Sequence, residues 1–230
     1  MEDIDAIAAL QDPVRRRLYE YVAAQGREVG RNEAAEATGV TRTLAAHHLD
    51  KLTEAGLLES GSRRLTGRSG PGAGRPAKVY TRVRQERTVS LPARDYRTAA
   101  ELLAEAAEEA GLDAGLSAAA RRRGEALRAT APPCADLDEA VRLLAARGYE
   151  PYTTDTDDDT GDPGGGRAGV VRLRNCPFHS VAERFPPLVC GMNLALLEGL
   201  FGTDGPVRAR MDPRPGECCV VLEDSKNNEH

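Results

Sequence analysis

Residues 41–59 read TRTLAAHHLDKLTEAGLLE, and this stretch decides the fold of the first third of the chain. Thr41 offers a side-chain oxygen that can cap a helix. Ala45, His48, Leu49 and Leu52 then recur at three- and four-residue steps, the inner face of a helix running to about Ala55. Thr41, Arg42, Thr43, Ala46 and His47 lie at its N-terminal end or on its outer face. Gly56 closes the helix, and Leu57 and Leu58 start a strand. Upstream, Asp12 as a cap and Pro13 at the first helical position open a helix over 12–25, with Val14, Leu18, Tyr21 and Val22 on one face. A second short helix spans about Arg31 to Thr38, and Gly39 permits the sharp turn that follows. Downstream, a Gly/Arg/Pro loop occupies 60–77. The run from Lys78 to Val83 alternates as a return strand. Helix, helix, turn, helix, strand, basic loop, strand predicts a winged helix-turn-helix domain over residues 1–90 of an α+β chain.

The charge distribution supports a nucleic-acid partner for that domain. The whole chain has a formal charge of −5. Residues 57–90 nevertheless hold eight basic residues (Arg63, Arg64, Arg68, Arg75, Lys78, Arg82, Arg84, Arg87) against Glu59 and Glu86. That local +6 leaves −11 for the rest of the chain, so the basic stripe is a confined electrostatic footprint for phosphates. Arg63, Arg64, Arg68, Arg75 and Lys78 are the expected backbone contacts, and Arg42 is the expected reader of a base edge.

The remainder divides in two. Residues 91–131 are Ala- and Glu-rich, with Tyr96, Ala99, Leu103, Ala106 and Ala110 spaced as a helix–helix seam and a break at Gly111. They are expected to form the dimerisation region of a homodimer that reads a palindromic operator. Residues 132–230 are expected to form a small α/β sensor domain. A helix lies around Leu137, Val141 and Leu144. Strands follow at Glu150–Thr153 and Val170–Arg174, then a helix from about Pro187 to Phe201 and strands at Val207–Met211 and Cys218–Leu222. The acidic, Gly-rich stretch 153–169 reads as a hairpin connection; it lacks the ordered ligand spacing of a calcium loop. The most apolar segment, Leu188 to Phe201, is too short to span a bilayer, and the acidic start MEDIDAIAAL is unlike a leader. A cytoplasmic protein without membrane association is expected. No phosphate loop, nucleophile elbow or HExxH motif is present, so no enzyme activity is expected.

Five cysteines remain: Cys134, Cys176, Cys190, Cys218 and Cys219. An odd count without a leader reads as metal ligands, redox thiols or core residues, not as a disulfide framework. Asn175-Cys176-Pro177-Phe178-His179, Cys190 and Cys218-Cys219 sit at a strand end, near a helix start and on a later strand, so they can converge. Adjacent strand residues face opposite sides. Cys218 shares its side with Val220 and Leu222 and is the expected inward member of its pair.

The motifs TRTLAAHHLDKLTEAGLLE, GRPAKVYT (residues 74–81) and NCPFH…C…CCV together resemble the SufR-like branch of ArsR-like winged-helix regulators. That resemblance implies a repressor with a C-terminal iron–sulfur cluster, [4Fe-4S] in type, that senses redox state, oxygen, nitric oxide or iron–sulfur status. It implies Cys176, Cys190 and Cys218 as cluster ligands. His179 is the first candidate for the fourth, with Cys219 as the alternative. A zinc site or small-molecule pocket in the same place is the competing expectation.

Overall fold

The computed structural model describes residues 2–63, 76–155 and 169–225. They form two compact units, Met1–Arg94 and Asp95–His230. Helices 91–131, expected as a separate region, thus belong with the C-terminal residues.

The first unit begins with α1 (Glu2–Ala9), which the sequence reading leaves unassigned, and Ala6 of α1 is buried in the core. In α2 (Pro13–Gln25) the Asp12 carboxylate accepts from the backbone N–H groups of Val14 and Arg15, both at 2.9 Å, satisfying two donors the helix cannot pair internally. A two-residue strand β1 (Val29–Gly30) leads into α3 (Arg31–Thr38). Gly39 then takes φ +67°, and Val40 N–H bonds back to Ala35 O at 3.0 Å, which makes the turn of the helix pair. Thr41 caps α4 (Arg42–Glu54), accepting from Leu44 N–H at 3.3 Å. Leu18, Val22, Ala34, Ala45, Leu49, Leu52 and Leu58 pack into one apolar core with Val29 and Tyr80. Strands β2 (Leu58–Arg63) and β3 (Ala77–Arg82) pair antiparallel from Leu58↔Arg82 to Arg63↔Ala77. β3 also pairs with β1, so the sheet order is β1-β3-β2. The expected contacts Arg64, Arg68 and Arg75 lie outside the described residues.

In the second unit, α5 (Tyr96–Glu109) and α6 (Asp113–Thr130) are separated at Gly111, as the spacing predicts. Then come α7 (Leu137–Ala145), β4 (Pro151–Asp155), β5 (Gly169–Leu173), a short α8 (His179–Ala182), α9 (Pro186–Phe201), β6 (Val207–Met211) and β7 (Val220–Asp224). The expected acidic hairpin connection falls largely on residues 156–168, outside the described residues. The strands form an antiparallel sheet of order β4-β5-β7-β6. Val171, Leu173, Val207, Val220 and Leu222 pack with Ala140 and Leu144 of α7 and with Leu197, Leu200 and Phe201 of α9. Helix α6 runs tightly along α9. A Cβ on Gly124 would meet Leu200 N at 2.7 Å, and Leu196 O more closely still.

One expectation is corrected here. The last strand begins at Val220, not Cys218. The Cys218-Cys219 pair forms its lead-in, held by Cys218 N–H to Leu173 O at 2.9 Å and Asp212 N–H to Cys219 O at 2.8 Å. Among the described residues, the face of α5 expected as a helix–helix seam is left exposed. Tyr96 and Leu103 are 75% and 72% exposed, whereas Ala104 on the other side is buried against Phe185, Leu188 and Val189.

Candidate functional site

Helix α4 presents Thr41, Arg42, Thr43 and His47 to solvent, with Ala46 half-buried and Ala45, His48, Leu49 and Leu52 inward. Its orientation is fixed by one carboxylate. Asp50 accepts from Tyr80 OH at 2.7 Å, from Lys78 Nζ at 2.8 Å and from Arg31 at 3.0 Å, and Arg31 Nε donates to Tyr80 OH at 2.8 Å. α3, α4 and β3 are thereby tied together. Burial opposes the Asp50 charge, but the bonds from Lys78 and Tyr80 overcome it and hold its pKa below the usual range. Burial, with the bond to Asp50, pushes the Tyr80 phenol up to about 12. Lys78, expected on the phosphate backbone, is therefore engaged with Asp50. Arg63 pairs with Glu28 at 3.2 Å, though both side chains remain largely exposed. The sequence reading passed over Asp50. Its signal was an acid in the middle of a helix otherwise suited to face phosphates.

The second group lies in the C-terminal unit. β5 delivers Cys176 three residues beyond its end, α9 carries Cys190 in its second turn, and the lead-in to β7 carries Cys218 and Cys219. Cys190 Sγ donates to Cys219 Sγ at 2.9 Å. The Cys218 thiol hydrogen-bonds to the Cys176 sulfur. The two pairs also interact electrostatically, Cys176 with Cys190 and Cys219, and Cys190 with Cys218. The bond from Cys218, aided by the Phe178 N–H, draws the Cys176 pKa down although burial opposes it. The same bond and burial push Cys218 up. Burial, then the bond to Cys219, pushes Cys190 up to about 12. Cys218 is 3% exposed, and the other three are half-buried.

Four thiols from three separate segments thus stand together. Both members of the Cys218-Cys219 pair reach the group, because they precede the strand and escape its alternation of sides. His179 does not join them. Its ring is exposed on α8, with Nε2 3.2 Å from Glu183. Cys134 lies apart, donating to Asp136 O at 3.4 Å before α7. Among the described residues, no three His, Cys, Asp or Glu side chains surround one point as the ligands of a single ion would. The turn leading to Cys218 is braced by the buried Arg172, which ion-pairs with Asp212 and Glu217; Tyr152 OH donates to Glu217 at 2.5 Å.

Residues 10–61 match the family described as a helix-turn-helix domain, of ArsR-like type. The chain therefore carries an N-terminal DNA-binding helix-turn-helix domain of the kind found in transcriptional regulators. No curated protein and no solved structure matches the chain. Among the described residues, no helix is long and apolar enough to cross a membrane.

Proposed function

We propose that this protein is a cytoplasmic, homodimeric winged helix-turn-helix repressor whose hold on a palindromic operator is governed by an iron–sulfur cluster on Cys176, Cys190, Cys218 and Cys219. The convergence of these four thiols carries the reading. An all-thiol donor set suits iron–sulfur clusters and structural zinc. Four thiols that do not surround one point, among the described residues, favour the cluster, in which each thiolate would bind one of several irons. When bound, such a cluster supplies reactivity toward oxygen, peroxide or nitric oxide.

The chain's own residues provide a route from that group to the dimer. Cys190 sits in α9 directly after Leu188 and Val189, which pack on Ala104 of α5. The opposite side of α5 bears the exposed Tyr96, Leu102 and Leu103, the face proposed to meet a second copy. Tying Cys190 to Cys176 and to the β7 lead-in fixes α9 and, through it, α5. Releasing the tie lets both shift. The separation of two recognition helices follows from that interface, and paired half-sites tolerate little change in it.

The test compares operator affinity of anaerobically purified protein, the same protein bleached in air, and Cys190→Ser. Brown protein containing iron and sulfide, with tight binding lost in the other two, is expected. Equal affinity in all three would leave the thiols a structural role. Colourless protein containing zinc would replace the cluster with a zinc site.

A further inference from the structure

Asn193 is an anomaly in α9. The helix is apolar nearly all round, yet this amide is 1% exposed within it. An amide buried without partners costs on the order of 1–3 kcal/mol, and a leucine would suit the surroundings. Its partners explain its presence. Tyr149, itself 5% exposed, donates its hydroxyl to Asn193 Oδ1 at 2.5 Å. With the carbonyl so occupied, the NH2 group is turned the other way and donates to Cys218 Sγ at 3.4 Å.

A neutral thiol is a weak acceptor, so an amide N–H held on this sulfur by the Tyr149 bond is better matched to a metal-bound sulfur. The arrangement is directional. Tyrosine donates, the amide relays and the sulfur accepts. Burial strengthens each bond by excluding water.

We infer that Tyr149 and Asn193 form a positioning relay that holds Cys218 as a hydrogen-bonded ligand and sets the reduction potential of the group it binds. The inference rests on the proposed cluster. N–H donors to ligand sulfur stabilise the more negative, reduced state and therefore raise the potential. Asn193→Leu removes the donor and keeps the volume and apolar surroundings. Tyr149→Phe leaves the amide but frees its orientation, and guards against misfolding of the first variant.

Iron and sulfide content is measured first on the anaerobic wild-type protein, and its absence overturns the cluster and the relay together. With the cluster present in all three proteins, spectroscopic redox titration is the readout. Loss of the Asn193 donor is expected to shift the oxidised-to-reduced balance on the order of tenfold, about 59 mV for one electron, toward lower potential. Tyr149→Phe is expected to shift it the same way by less. Equal potentials in wild type and both variants would show that the relay merely fills the core. A shift toward higher potential would also overturn the inference.

Discussion

The crossing of α6 and α9 permits a prediction of sign as well as size. Replacing Gly124 with alanine would place a methyl group 2.7 Å from Leu200 N and 2.9 Å from Gly199 C, and nearer still to Leu196 O. Carbon contacts prefer roughly 3.5–4.0 Å, so the helices would have to part by about 1 Å. The obstacles are backbone atoms, which cannot rotate away as a side chain could. Overpacking of this kind costs about 1–3 kcal/mol, and the upper end applies here. Against it stands a gain of about 0.5–1 kcal/mol for alanine over glycine in a helix. The net expectation is about 2 kcal/mol of destabilisation, local to this helix pair. Gly191 supplies the control, because it lies inside α9 with nothing within 4 Å of its added Cβ. Gly191→Ala should stabilise by about 0.5–1 kcal/mol. Hydrogen exchange by mass spectrometry suits a two-unit chain, which need not unfold in one transition. On reduced, metal-free protein, α6 and α9 amides should exchange roughly 30-fold faster in Gly124→Ala and about threefold slower in Gly191→Ala. Unchanged or slower exchange in Gly124→Ala would refute the close crossing.

Four further outcomes are expected. Arg42→Ala should relax sequence preference by about 1–3 kcal/mol at one operator position, read by competition among operator variants; an unchanged preference would remove Arg42 from base readout. Asp50→Asn should free Lys78 and Arg31 for phosphates and steepen the salt dependence of DNA binding by roughly one charge, while loosening α4 from β3. An unchanged slope would mean that neither cation reaches DNA. Leu103→Glu should yield monomers in analytical ultracentrifugation and weaken binding to palindromic sites, and a variant that stays dimeric would move the interface off α5. His48 is 7% exposed, with Nδ1 unpartnered, and burial lowers its pKa. Its folded pKa lies below the unfolded value of about 6.5, so the stability it contributes is complete above that pH and is lost as pH falls through the folded value. His48→Leu should therefore lose less stability than wild type between pH 7 and 5, and parallel urea midpoints would contradict this.

The first unit was the more legible in sequence because its signals are local. Asp12, Pro13, Gly39 and Thr41 act on residues within one turn, and the Ala45/His48/Leu49/Leu52 face follows from helical spacing alone. α1 escaped notice because Ala6 is a faint mark for a buried face. Asp50 was missed because its partners stand 19, 28 and 30 residues away. In the C-terminal unit, three of the four grouped thiols were foreseen. Cys219 was set second to His179 because strand alternation was applied to a pair that lies before the strand. Asn193 passed without remark inside the apolar stretch Leu188 to Phe201, since its role depends on Tyr149, 44 residues away. The glycines of the α6–α9 crossing, Gly124 and Gly199, carry no pattern of their own. Their meaning lies in the backbone that passes beside them.

The order β4-β5-β7-β6 has a consequence for synthesis. Of the described strands of this sheet β7 is made last, yet it lies between β5 and β6. On the ribosome, those two strands emerge with a gap between them, each offering an unpaired edge of the kind that recruits foreign strands. Only when residues 218–224 leave the exit tunnel can the sheet close, and the same insertion brings Cys218 and Cys219 to Cys176 and Cys190. A nascent chain therefore exposes the four grouped thiols apart and gathers them when β7 inserts. Delivery of any group to that site must wait until translation has passed β7, and a ribosome stalled shortly before it would display an open sheet with only two of the four grouped cysteines.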